Sequence, residues 1–201
     1  MPEQPQDTPQ GFDYREAIRA VGLRLFAEHG VQGVSVARLC READVANGTF
    51  YNFYKDKSEL VAEFLTEAYE GLAARLRAAE PPEGEAPSAE ALHRRDVDII
   101  VAFTEENEDL IRLAVRDEDA VRMSERSVRE MLLEQRTRSI NHGIEAGSYR
   151  GGVDPAVLAR AESAVTTEML LWWIADTSRM DRDTLIEALV AVRLRLTNGE
   201  V

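Results

Sequence analysis

The sequence holds a single cysteine, Cys40, among 201 residues. That excludes a disulfide scaffold and a cysteine-built zinc cluster, and it suits a reducing compartment. Long apolar runs are also missing. The longest, Met169–Ala175, is closed by Glu168 and Asp176, far short of the roughly 20 residues that span a bilayer. The first ten residues, MPEQPQDTPQ, offer neither a basic start nor an apolar stretch. No secretory signal is expected, and the chain reads as cytoplasmic with no membrane partner. Seven prolines and 12 glycines are too few for a collagen-like or low-complexity chain. The three histidines, His29, His93 and His142, are too scattered for a metal motif. No nucleophile elbow or phosphate loop frames the serines. Catalytic residues, a metal and a cofactor are therefore not expected.

Positive charge is scarce as well: 24 basic residues face 37 acidic ones, a net charge of −13. Taken over the whole chain, this opposes nucleic-acid binding, because phosphates are neutralised by Lys and Arg. The distribution changes that reading. Residues 11–60 are neutral, with Arg15, Arg19, Arg24, Arg38, Arg41, Lys55 and Lys57 balancing seven acids, and the acidic excess begins after residue 60. A neutral head on an acidic body is compatible with DNA if the head gathers its cations and helix N-termini on one face.

What the chain does have is helical periodicity. Residues 1–12 offer nothing to bury and read as a disordered arm. From Tyr14, Ile18, Val21, Leu25 and Phe26 recur at three- and four-residue steps, and Gly30 closes the helix. Ser35 caps a short helix carrying Val36, Leu39 and Cys40. Asn47 caps a shorter one through Tyr54, and Asp56 or Ser58 opens a long fourth helix. After a Pro-rich break at 80–87, Ser88 caps the next helix and Asn107 a shorter one. A long helix spans 120–146, Asp154-Pro155 opens an apolar helix, and Asp183 starts the last one. This is an all-α chain of about nine helices with no convincing strand.

The three short helices, with a tight break before the third, match a helix-turn-helix. The third reads Asn47-Gly48-Thr49-Phe50-Tyr51-Asn52-Phe53-Tyr54, an odd composition for a plain surface helix. Gly and Thr are weak helix formers, but small and hydroxyl residues let a backbone approach phosphates, and Thr, Tyr and Asn can donate to phosphates or base edges. Phe50 and Tyr54, four apart, are expected in the core of the head, with Tyr51 pointing elsewhere. Arg38 and Arg41 fit a DNA contact and a solvated side chain equally. Cys40 is expected as a small buried hydrophobe.

At this point the chain resembles a known family. Phe26-Ala-Glu-His-Gly30, Val34-Ser-Val-Ala-Arg-Leu-Cys-Arg-Glu-Ala-Asp-Val45, Gly48-Thr-Phe-Tyr51 and Tyr54-Lys-Asp-Lys57-Ser-Glu-Leu60 look like the DNA-binding segment of TetR-type transcriptional regulators. The resemblance implies a homodimer. Each protomer would have a helix-turn-helix head (13–58) and a helical effector-binding and dimerisation body (59–201), with the last two helices forming a four-helix bundle. It implies phosphate contacts by Thr49 and Tyr51, and a phosphate clamp at Lys57 supported by its helix N-terminus. It implies a backbone contact by Ser35, and base-edge or phosphate contacts by Asn47 and Asn52. Gly48, Arg38 and Lys55 complete the expected DNA face. The sequence departs from the pattern at Ala46, where a capping Ser is usual, at Asn47, where Lys is common, at Lys55, which replaces a frequent Pro, and at Phe53, which replaces a polar aromatic.

For the body, Ile100, Phe103, Met131, Met169 and Trp173 are candidate linings of an apolar effector pocket, although the same residues make an ordinary core. Trp172 and the 4-3-4 series Leu185, Leu189, Val192 and Leu196 are candidates for the dimer seam. The reading is a ligand-responsive regulator, a repressor bound as a homodimer to a palindromic operator in double-stranded DNA and released by a small, largely apolar effector. The alternative is a helical ligand-binding or scaffold protein without DNA function.

Overall fold

The computed structural model describes residues 13–82, 84–116 and 118–198, with the side chains of 114–129 and 131 outside the described set. Both the arm expected at 1–12 and the Met131 side chain fall outside it. Nine α-helices and one 3₁₀ turn (Thr177–Arg179) make up the described chain, with no strand among these residues. The helices are α1 (Tyr14–His29), α2 (Val36–Glu42), α3 (Asn47–Phe53), α4 (Lys57–Ala78), α5 (Ala89–Glu106), α6 (Glu108–Arg116), α7 (Glu118–Glu145), α8 (Pro155–Ile174) and α9 (Arg182–Asn198).

Most boundaries follow from capping chemistry. A side-chain oxygen of Asp13, Ser35, Asp56, Ser88 or Asp154 accepts from first-turn amides that have no partner within the helix. Gly30, at φ 72°, ends α1 in a conformation that glycine adopts without strain. Two boundaries differ from the sequence expectation, and a third goes beyond it. Ala46, not Asn47, stands at the N-cap of α3, and no side chain caps that helix. Asn107 serves both helices it separates, its Nδ2 donating to the Phe103 carbonyl at 2.8 Å to close α5 and its carbonyl accepting from the Ile111 amide at 3.1 Å to begin α6. The last helix begins at Arg182, one residue before Asp183, because Asp181 accepts from the Thr184 amide at 2.9 Å.

The head and the body have separate apolar clusters. Ile18, Leu25, Phe26, Leu39, Phe50 and Tyr54 pack with Leu60, Val61 and Phe64 of α4. Leu110 and Leu113 of α6 join the same cluster, so the head is seated on the body through α6 as well as α4. In the body, Val97 and Val101 of α5 pack with Leu170 and Trp173 of α8 and with Leu185, Ile186, Leu189 and Val190 of α9. A third cluster joins Leu92, Ile140, Tyr149, Leu158 and Ala159.

Candidate nucleic-acid interface

Phe50 and Tyr54 anchor α3. Both are buried, with ring centroids 5.5 Å apart. Their i,i+4 spacing turns the rest of the helix outward. Tyr51 is 60% exposed, its ring edge-on to Phe50. Asn47, Gly48, Asn52, Phe53 and Lys55 are exposed, and Thr49 is half-buried. A Cβ built on Gly48 would meet nothing within 4 Å, so this glycine answers no packing demand inside the protomer.

The cations of the head are unequally committed. Arg15 and Arg19 bind Glu63, and Arg19 also binds Glu67. Arg24 and Arg38 share Glu42, at 2.9 and 3.0 Å, and Arg38 Nη2 also meets His29 Nε2 at 2.9 Å. Glu42 is held below the ordinary carboxylate range by those two guanidiniums, Arg24 first. Among the described residues, the exposed side chains of Arg41 and Lys55 form no ion pair. Arg41, left undecided by the sequence, is thus freer to meet a phosphate than Arg38. The Ser35 hydroxyl is taken up in capping α2, where it accepts from the Arg38 amide at 3.2 Å.

Lys57 corrects an expectation. Its ammonium donates to the carbonyls of Val31 and Val34, at 2.6 and 2.8 Å. It fastens the α1–α2 connection to the start of α4 instead of standing free as a phosphate clamp. The carbonyls at the turn after α1 lack helix partners, and a flexible ammonium at the right distance captures them. The turn is tight for a second reason. A Cβ on Gly33 would lie 2.3 Å from the His29 carbonyl oxygen.

The body residues distribute differently from the sequence expectation. Ile100, Met169 and Trp173 pack into one apolar cluster, and the Trp173 indole donates to the Met180 carbonyl at 2.8 Å. Phe103 is buried beneath the Arg75 guanidinium. A groove of about 390 Å³ lies between α7 and α8, bordered by Leu133, Glu134, Thr137, Arg138, Ala156 and Arg160, and it touches none of the expected pocket residues. Leu185 and Leu189, expected at a dimer seam, are fully buried inside the protomer. Heptad-like spacing marks an apolar face without saying what covers it, and here α5 covers it. Val192 and Leu196 are half-buried, while Trp172 is 43% exposed on α8, with Val157 exposed about four turns before it.

Sequence reasoning missed a buried polar seam. His93 and Asp96 of α5, Arg136 of α7, Glu162 of α8 and Arg193 of α9 meet inside the body. Arg136 binds Glu162 at 2.7 Å and Asp96 at 3.0 Å. Arg193 reaches Glu162 at 3.4 Å, and Arg95 binds Asp96 at 2.6 Å. The His93 ring stacks on Tyr149, and burial, Arg136 and Arg193 push its pKa down to about 3. The signal was present: polar residues stand at core positions, Glu162 among Leu158, Ala159 and Thr166, and Arg193 among Leu189, Val190 and Thr197. Among the described residues no group of His, Cys, Asp and Glu could hold a metal. No described helix is long and apolar enough to cross a membrane.

Comparison with known proteins agrees with this geometry. Residues 18–64 match the family described as "Bacterial regulatory proteins, tetR family". An uncharacterized HTH-type transcriptional regulator, YhgD of Bacillus subtilis (strain 168), is 22% identical over 183 residues, which are 87% of this chain and 91% of that protein. The transcriptional regulator FadR from Bacillus subtilis, solved with stearoyl-CoA, superposes with a TM-score of 0.76 at 16% identity, covering 93% of this chain and 100% of that one. A SmeT–triclosan complex gives 0.77 at 18% identity, covering 93% and 92%. At such identities the structural likeness speaks for the fold, and the sequence match speaks for the head. Residues 18–64 thus match the head of TetR-type regulators, carried here on an all-α body, and the chain is similar to HTH-type transcriptional regulators along most of its length.

Proposed function

We propose that this regulator is a repressor. Two copies would dimerise, place their α3 helices in successive major grooves of a palindromic operator, and let go when a small molecule binds the body. It acts without catalysis and in the cytoplasm, where its DNA is. The observation that carries the reading is the outward face of α3. Tyr51, Asn47, Asn52 and Phe53 stand exposed around two buried aromatic anchors, and a glycine with open space before it lets the backbone come close to a phosphate. Thr49, Ser35, Arg38 and Lys55 flank this face, and Arg41 adds an unpaired cation. Lys57 serves by holding the turn that leads into α2.

The head (13–58) and the body (59–201) are the working parts. The dimer seam is assigned to the outer faces of α8 and α9, where Trp172, Val157 and Val192 leave apolar surface uncovered. Release follows from linkage: an effector that prefers a body conformation with the heads misplaced weakens DNA binding by its differential affinity. The neighbours bound to stearoyl-CoA and to triclosan support a body that takes small molecules. The position of α6 supports the route, since its Leu110 and Leu113 sit in the apolar cluster of the head.

The test is selection of bound fragments from the source genome by the full chain, followed by affinity measurements on the recovered site. Tyr51→Ala and the double substitution of Arg41 and Lys55 by Gln are expected to weaken binding at least tenfold, and Trp172→Glu to yield a monomer in sedimentation. Unchanged affinity in the α3 variants would favour a helical ligand-binding or scaffold protein.

A further inference from the structure

The buried seam of the body is not a closed network. Arg193 is 3% exposed, yet its Nε and Nη1, the greater part of its donors, have no acceptor. The hydroxyls of Tyr149 and Thr166 are buried without partners too, and so is Oε1 of Glu162. Such groups are rarely left unpaired in a finished interior. Charge is unbalanced in the same place. The guanidiniums of Arg95, Arg136 and Arg193 face the carboxylates of Asp96 and Glu162, an excess of one positive charge (three against two). His93 adds nothing to that sum. Its Nδ1 accepts from Arg136 Nη2 at 3.5 Å and its Nε2 lies 2.9 Å from the Thr197 hydroxyl, which itself donates to the Arg193 carbonyl, so the ring is the neutral Nε2–H tautomer.

We propose that this seam is the recognition site for a small organic monocarboxylate, with Arg193 taking the carboxylate and Tyr149 and Thr166 supplying further donors. The inference deepens the effector reading given above and rests on it for its regulatory meaning. One excess positive charge matches a monoanion, and the unpartnered Oε1 of Glu162, an acceptor like the ligand's own oxygens, disfavours the second negative charge of a phosphate dianion. The seam lies between two apolar clusters. Along α5 it falls between Leu92 and Val97, along α8 between Ala159 and Leu170, and along α9 it begins after Val190. A carboxylate with an apolar tail therefore has polar and apolar partners within one body. Arg193 and Glu162 come from the two helices assigned to the dimer seam, so filling the site bears directly on their packing.

The experiment is calorimetry on the full chain with saturated straight-chain monocarboxylates from acetate to palmitate, and with the primary alcohols of the same lengths. At least one carboxylate is expected to bind ten times or more tighter than its alcohol. Arg193→Met should abolish that preference, and Glu162→Gln should tighten carboxylate binding severalfold. The wild-type comparison alone decides the matter if Arg193→Met does not fold. Equal binding of acid and alcohol, no binding across the series, or a preference that survives Arg193→Met would overturn the proposal, leaving buried water as the partner of these atoms. Operator affinity is read separately. A protein that binds carboxylate through Arg193 but no DNA would defeat the regulator reading and leave the carboxylate site standing. One that binds DNA but no carboxylate would do the reverse.

Discussion

The hydroxyl of Tyr54 donates to Oε1 of Glu63 across 3.0 Å, and so ties the end of α3 to the second turn of α4. Glu63 also receives Arg15 at 2.6 Å and Arg19, both from α1. Burial pushes this carboxyl upward, but the hydrogen bonds from Arg15, Arg19 and Tyr54 outweigh it and hold its pKa below the ordinary range. One carboxylate thereby fixes the angles of three helices in the head. Tyr54→Phe is expected to destabilise the head by about 1 kcal/mol, the net worth of one such bond. Glu63→Gln is expected to cost more, because it removes the charged acceptor shared by Arg15, Arg19 and Tyr54, although Arg19 keeps Glu67. Because the folded carboxyl is the stronger acid, its contribution is present at neutral pH and fades as pH falls below about 4.5. Urea titrations of wild type and Glu63→Gln should converge there. A constant gap down to pH 3 would refute the assignment.

Lys57 poses a choice between staple and phosphate clamp that salt dependence resolves. As a staple on the Val31 and Val34 carbonyls, its replacement by Met should lower head stability by about 1–3 kcal/mol, since two buried acceptors lose a charged donor. The slope of log affinity against log salt should then hold, because no phosphate partner is removed. A clamp would instead lower that slope by about 0.9 for the lost phosphate contact. Thermal unfolding and filter binding at several salt concentrations separate the two.

Gly48 should dissociate stability from affinity. Its Cβ position is open, and Ala is the better helix former by roughly 0.5–1 kcal/mol. Gly48→Ala is expected to raise the melting temperature of the free protein while weakening operator binding several-fold, because the added methyl meets the phosphate backbone. Gly33→Ala is the control. There the methyl would collide with the His29 carbonyl, so stability and affinity should fall together. Tighter DNA binding by Gly48→Ala would remove the close-approach argument for α3.

The head was legible because its chemistry is local. Ser35 and Asp56 announce their helices within three residues, and the four-residue spacing of Phe50 and Tyr54 states which side of α3 is buried. The body was not, because its decisive relations are distant. Nothing near Leu185 or Leu189 says that α5, and not a second copy, covers them. Nothing near Lys57 says that carbonyls 23 and 26 residues earlier will capture its ammonium. The polar seam draws one to three residues from each of four helices between His93 and Thr197, and each residue alone looks like an ordinary exception on an apolar face.

His93 gives the seam a readable signature. Its ring is fully buried, and burial, reinforced by Arg136 and Arg193 and opposed by Asp96, lowers its pKa to about 3 from 6.5. The unfolded chain therefore takes up a proton near pH 6.5 that the folded chain refuses until about pH 3. The unfolded state binds more protons in this window, so stability must fall as pH drops through it. The expected loss between pH 7 and pH 5 is about 2 kcal/mol, from a slope of at most about 1.4 kcal/mol per pH unit. Glu63 and Glu42, both held below the ordinary carboxylate range, make their own contributions at lower pH and do not interfere. In His93→Gln, which keeps an amide donor for Thr197 and cannot titrate, the stability between pH 7 and pH 5 should be flatter by that amount. Urea midpoints at half-unit steps measure the difference. Parallel curves for the two proteins would mean that the folded ring accepts the proton, and that the seam holds less positive charge than its guanidiniums imply.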